Sequence, residues 1–123
     1  MAALEMTNRD GGFVSSEANG FRSKDVVTVD ATGGALVAGT VLGVVTATGD
    51  YVQHDTGAST GEEVAAAILY NGVDAVEGEA TVVTRDMEVS QADLTYEAGA
   101  DAAAILAANA ELAANGIIVR KEG

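Results

Sequence analysis

The sequence predicts a mainly β domain that carries one helix near its C-terminus. Three observations lead there. Turn-forming Gly, Asn and Asp clusters recur about every 8 to 14 residues, the spacing of short strands. The runs between them are rich in Val, Leu, Thr and Ala, and with aromatics at 4% and no Trp the core has to be built from small and β-branched side chains. Helical spacing of apolar residues occurs once, late in the chain. A chain of 123 residues matches one compact domain of roughly 100–150 residues.

Taken in order, residues 1 to about 20 contain Gly11-Gly12, Ser15-Ser16 and Asn19-Gly20 with no sustained period, so this segment is expected to be flexible until it is tied down. Asp25 to Asp30, DVVTVD, forms a short β-branched strand that ends at the turn Thr32-Gly33-Gly34. ALVAGTVLGVVTATGDYVQHD supplies two or three further runs, with Thr48-Gly49-Asp50 as a hairpin tip between Val44-Val45-Thr46 and Tyr51-Val52. After a small-residue loop from Thr56 to Glu63, VAAAILY from Val64 to Tyr70 is a buried apolar strand closed by Asn71-Gly72.

Val73 to Gly78 makes a short link. ATVVTRDMEV then alternates as one antiparallel strand, with Val83, Arg85, Met87 and Val89 on one face and Val82, Thr84, Asp86 and Glu88 on the other. The helix is expected near Ala100 to Ala114, where Ala102, Ile105, Leu106, Asn109 and Leu112 or Ala113 share a face, Asp101 stands at the start and Asn115-Gly116 follows the end. Ile117, Ile118 and Val119 resume an extended run as a last strand. No repeat of fixed period is present.

Charge excludes several partners. With 19 Asp and Glu against 6 Lys and Arg the net charge is -13, which repels phosphate and anionic lipid, so neither nucleic acid nor a membrane is an expected partner. The distribution is uneven. Residues 1–25 carry three bases against four acids, residues 120–123 two bases against one acid, and between them 14 acids face the single base Arg85. The first residues, MAALEMTNRDGG, lack the basic patch and apolar core of a signal peptide, so synthesis in the cytoplasm is expected. The longest apolar stretch, AAAILAANAELAAN, is broken by Asn109 and Glu111 and is not a bilayer span. No Cys is present, which removes disulfides, thiolate nucleophiles and Cys-based zinc sites.

Motifs for catalysis, cofactors or metals are missing, so no catalytic, cofactor-binding or metal-ligating residue is assigned. The one imidazole, His54, sits between Gln53 and Asp55 and is expected to be an ordinary surface residue. The pairs Glu62-Glu63, Glu77/Glu79 and Asp86/Glu88 are the coincidences that a chain with 19 acids produces. Gly57-Ala58-Ser59-Thr60-Gly61 lacks the Lys of a phosphate-binding loop. Lys24 and Lys121, the only lysines, do not stand at a central hairpin tip, where a carrier domain would present one for modification.

A family resemblance rests on an ordered series: AGTVLG, TGDYV, AAAIL, RDMEV and GIIVR, set within FRSKDVVTVD, LVAGTVLGVVTATGDYVQHD, EVAAAILYNGVDA, TVVTRDMEV, LTYEAGAD and NGIIVR. Over residues 11 to 120 the chain resembles the lambda-type phage head decoration proteins. It departs from them at Gln53, where the family commonly has Pro, and this affects a local turn. The resemblance implies a β-clip fold, a bent ribbon with a small, partly closed barrel. It also implies homotrimers on the outer surface of the virion, bound to the major capsid protein of the expanded shell at local threefold positions and reinforcing it against packaged DNA. Residues 1–21 would then be a flexible capsid-binding arm and residues 22–123 the decoration domain. Phe13, Val14, Phe21 and Arg22 are the arm's candidate anchors, of the kind an extended peptide uses on a sheet edge. The competing reading is a small-ligand or sugar-binding β-clip module.

Overall fold

Two seven-residue strands form the backbone of the molecule. In the computed structural model, which describes residues 14–17, 23–97 and 99–120, the strands are β1 (Val14–Glu17), β2 (Lys24–Asp30), β3 (Val41–Val44), β4 (Tyr51–Gln53), β5 (Ala67–Leu69), β6 (Glu77–Val83), β7 (Met87–Ser90) and β8 (Ile117–Arg120). A 3-10 turn covers Gln91–Asp93, and the helix α1 covers Ala102–Ala113. β2 and β6 pair antiparallel along their full length, from Lys24↔Val83 to Asp30↔Glu77. That ladder closes a five-stranded mixed barrel of order β2-β4-β3-β5-β6, in which β2 and β4 run parallel through Val29↔Tyr51. A second sheet, β1-β7-β8, adjoins it, with β7 antiparallel to β1 and parallel to β8. The chain is thus mainly β with one C-terminal helix.

Side chains alternate across a strand, and here both faces of three strands are buried. Leu42, Ala67, Leu69, Val82 and Val29 fill the barrel interior. Val41, Ile68 and Val83, their neighbours along the same strands, point the other way and join Met87, Val89, Ile117, Ala108 and Leu112 in a second core. This accounts for the unbroken apolar runs AAIL and VLGV, since a strand covered on both sides has no reason to alternate. Each fully buried Val, Leu or Ile stabilises by about 1.5–3 kcal/mol. The segment at Glu62 crosses β3 so closely that Gly43 leaves no room for a side chain: a Cβ there would lie 2.5 Å from the Glu62 carbonyl oxygen.

Several expectations hold. The hairpin between β3 and β4 turns at Thr48-Gly49-Asp50, with Val44 opposite Tyr51. The strand before Thr32-Gly33-Gly34 and the last strand at Ile117 are present. α1 begins at the predicted cap, where the Asp101 carboxylate accepts the Ala104 N–H at 2.9 Å.

Other expectations are corrected. ATVVTRDMEV is two strands in two sheets, because Asp86 takes a left-handed backbone (φ 52) and ends the run. The Asp86 carbonyl accepts the Ser23 hydroxyl at 2.8 Å, and Gly116 (φ +83) packs so closely on Asp86 that a Cβ would meet its Oδ1 at 2.8 Å. Val83, Met87 and Val89 still share a core, as the alternation required, while Arg85 turns out to pair with Asp25. VAAAILY contributes only Ala67–Leu69 as strand; Val64 is 49% exposed, and the Ala65 N–H donates to Glu111 of the helix at 2.7 Å. Glu77 and Gly78, read as link, open β6. On α1 the buried residues are Ala108 and Leu112, whereas Leu106 is 64% exposed. The contact stripe is narrow because Ala108 lets the helix lie close to the sheet. β1, where the sequence showed no period, is a strand because β7 offers it an edge.

Candidate functional site

The three-stranded sheet holds both ends of the described chain. Val14 stands opposite Val89, and Arg120 lies beside Ser90. β1 runs against β7 and β8 runs with it, so the chain comes into β1 and leaves β8 at the same end of the sheet. The inner face carries Met87, Val89 and Ile117 into the core. The outer face carries Glu88, Ile118 (43% exposed) and Arg120. Arg120 clasps Glu88 with a two-pronged fork, Nε to Oε1 at 3.0 Å and Nη2 to Oε2 at 3.1 Å, which raises the guanidinium pKa above its ordinary value. β1 and β8 are the outer strands of this sheet.

The β2–β6 ribbon separates charge by end. At one end Lys24 lies over the Tyr70 ring at 4.4 Å, and Arg85, just past β6, donates to Asp25 at 2.5 Å. At the other, the register that pairs Asp30 with Glu77 and Val29 with Tyr51 gathers the carboxylates of Asp30, Asp50 and Glu77 within 4.8 Å of one another. A hydrogen bond to Asp50, with the Asp50 and Asp30 charges behind it, raises the Glu77 pKa. The Thr32 hydroxyl and N–H lower that of Asp30. The sequence showed a strand end at Asp30 and a turn at Asp50, but not the pairing that joins them.

Of the candidate anchors, Val14 is the first residue of β1. Phe13, Phe21 and Arg22 lie outside the described residues, as does Lys121. Lys24 is held on Tyr70. The paired acids are scattered among separate roles: Glu62 accepts the Thr60 hydroxyl, Glu63 accepts the Gly61 N–H, and Glu88 holds Arg120. The surface assignment of His54 is corrected. The ring is only 2% exposed, with Nε2 3.0 Å from the Glu63 carbonyl oxygen and 3.7 Å from Glu111 Oε1. Its polar neighbours Gln53 and Asp55 disguise a burial that comes from packing against residues distant in sequence.

The arrangement of the described residues is that of a scaffold. Its exposed cations are tied to carboxylates or an aromatic ring, and its chain ends converge on one sheet. No curated protein matches the chain. The family model described as bacteriophage lambda head decoration protein D matches residues 3–117, which takes in β1, the whole barrel, the helix and the start of β8. The chain therefore belongs to the bacteriophage lambda head decoration protein D family, whose members are structural, non-enzymatic proteins of the phage capsid surface.

Proposed function

We propose that the protein binds the expanded capsid as a homotrimer at local threefold positions and stabilises the shell against the pressure of packaged DNA. The family match over residues 3–117 carries this reading. Its physical logic is linkage: a protein that binds the mature lattice and not its precursor adds its binding free energy to the stability of that lattice. Three linked subunits raise the effective concentration of each contact once the first has formed.

The arm, residues 1–21, is the capsid-binding element in this proposal, and residues 22–123 are the domain that carries it. Ordering the part of that segment outside β1 costs roughly 1–2 kcal/mol per residue of backbone entropy, so a partner strand and pockets must supply the return. Phe13 and Val14, with Phe21 and Arg22 behind them, are the anchors. β1 supports this arrangement: Val14 to Glu17 are fixed on β7, so a segment before Val14 starts from a rigid base. Trimer contacts use apolar surface rather than ion pairs, because the 14 acids of residues 26–119 face one Arg.

The experiment is co-sedimentation of a variant lacking residues 1–13 with expanded, undecorated shells. This deletion spares β1, and circular dichroism checks the fold. Loss of binding is expected. Binding at unchanged affinity would remove the segment before Val14 from the account and move the capsid contacts to the rest of the chain. Native mass spectrometry of the same two proteins reads the trimer, which the deletion should leave intact.

A further inference from the structure

The five-stranded ring closes only at the two ends of its longest ladder. β4 reaches β2 at one pairing, Val29↔Tyr51, beside Asp30. β5 reaches β6 at the other end, at Val82 and Val83, with one further hydrogen bond from the Tyr70 N–H to the Thr81 carbonyl at 3.0 Å. That bond fixes which way the backbone groups of the ladder point. The Thr81 carbonyl faces β5, so Thr81 and its partner Val26 form a pair that turns its N–H and C=O groups away from each other. The direction alternates along the ladder, and the next pair of the same sense is Thr28↔Glu79. Val26 therefore presents its N–H and C=O on the outer side of β2, and Glu79 presents its own on the outer side of β6. Among the described residues, no backbone group meets either of them there.

An open edge of this kind is a template for another strand. Here there are two, on opposite sides of one ribbon and toward its opposite ends. Each has an exposed apolar residue with it: Val26 itself is 66% exposed, and Val76, which leads into β6, is 59% exposed. Their charges differ. β6 carries the exposed Glu77 and Glu79 along its open stretch, with Asp30 and Asp50 close to Glu77. The open stretch of β2 lies at the other end of the ribbon, with Lys24 and the Arg85–Asp25 pair. Pairing β6 with a second β6 would set Glu77 and Glu79 against their like, whereas pairing β2 with a β6 brings unlike ends together.

We infer that the open edge of β2 in one copy adds to the open edge of β6 in the next, and that this joint, repeated three times, builds the trimer. The inference rests on the trimer proposed above and assigns its contact surface. Two different patches meet, so the contact runs head to tail and closes into a ring, whereas a patch that met itself would stop at a dimer. Backbone hydrogen bonds and the two Val residues supply the joint, which agrees with a body too acidic for an interface of ion pairs.

Two variants of the full chain, one on each edge, test this by native mass spectrometry and analytical ultracentrifugation. Val26→Lys places a charge in the joint, the device by which edge strands stay unpaired. Glu79→Pro removes the outward N–H and spares the ladder with β2, in which that N–H takes no part. Each is expected to weaken the trimer by about tenfold or more, and an amide NMR spectrum checks each fold. A mixture of the two reads the head-to-tail arrangement. The Val26→Lys copy keeps its β6 edge and the Glu79→Pro copy keeps its β2 edge, so together they should form a one-to-one pair that neither forms alone and that cannot close into a ring. In the parent trimer the Val26 and Glu79 amide hydrogens should exchange slowly with solvent, a measurement that decides even where a variant does not fold. A trimer with fast exchange at either amide, or one that either folded variant leaves unchanged, would overturn the inference and leave the trimer itself standing. A parent chain that stays monomeric would overturn both.

Discussion

The barrel and the three-stranded sheet beside it bury similar residues by different means. The barrel is assembled from neighbours: β3 and β4 are a hairpin, β5 returns to β3, β6 follows on β5, and one long ladder with β2 closes the ring. The sheet is assembled from strangers, since β7 takes β1 from the beginning of the chain and β8 from its end. The barrel thus combines short-reach pairings with one long-reach ladder that closes it, and the sheet stands on both ends of the described chain. The proposed role of the arm fits this division, because Val14–Glu17 and Ile117–Arg120 are tied to one small sheet beside the barrel.

The largest effect that tests this contrast lies on the barrel strand β3. Gly43→Val places a side chain where a bare Cβ already meets the Glu62 backbone at 2.5 to 2.9 Å. Such a clash with backbone should cost more than about 4 kcal/mol and leave no folded barrel, visible as loss of dispersion in an amide NMR spectrum. A folded Gly43→Val variant with the parent melting temperature would remove the close approach from the account.

Next in size is a matched pair of truncations. Ile117→Ala on β8 and Leu42→Ala on β3 should each cost about 2–5 kcal/mol, since both side chains are fully buried. They should differ in where the loosening appears. Hydrogen exchange should speed up first in β7 and β8 for Ile117→Ala and first in β3, β4 and β5 for Leu42→Ala, because the two residues belong to separate cores. Identical exchange patterns would mean that the two cores act as one. A smaller loss, about 0.5–2 kcal/mol, is expected from Asp101→Ala, which removes the hydrogen bond to Ala104 at the start of α1 and is read by thermal denaturation.

The smallest effect concerns the acidic end of the ribbon. The Glu77 pKa is raised in the folded state above 4.5, so the folded chain holds that proton more tightly than the unfolded chain. The stabilisation from this proton is complete below the unfolded value and is lost as pH rises through the folded value. Asp30, lowered from 3.8 by Thr32, works in the opposite sense: its contribution is present above its unfolded value and fades as pH falls through the folded one. Glu77→Gln should therefore raise the melting temperature slightly at neutral pH and flatten its dependence on pH above about 4.5, the ordinary carboxylate value. A lower melting temperature at neutral pH would contradict this sign.

Much of the fold was legible in the residues, for physical reasons that also mark where legibility stops. Asp101 with the spaced Ala, Ile and Leu residues announced α1, and Thr48-Gly49-Asp50 announced the hairpin, because caps and tight turns are local chemistry. The break at Asp86 was hidden: the alternation of Val83, Met87 and Val89 passes through it unchanged, and tertiary contacts with Ser23 and Gly116 hold the left-handed turn. β1 was invisible for a related reason. VSSE has no strand signature of its own and pairs because β7 presents an edge. The burial of His54 was hidden as well, because its neighbours Gln53 and Asp55 are polar.

Cryo-electron microscopy of expanded shells decorated with the full chain tests the central claim most directly. The account predicts three copies around each local threefold position, with the segment before Val14 running from β1 onto the capsid surface. Density that meets the shell only through the barrel, with the segment before Val14 directed away from it, would contradict the account.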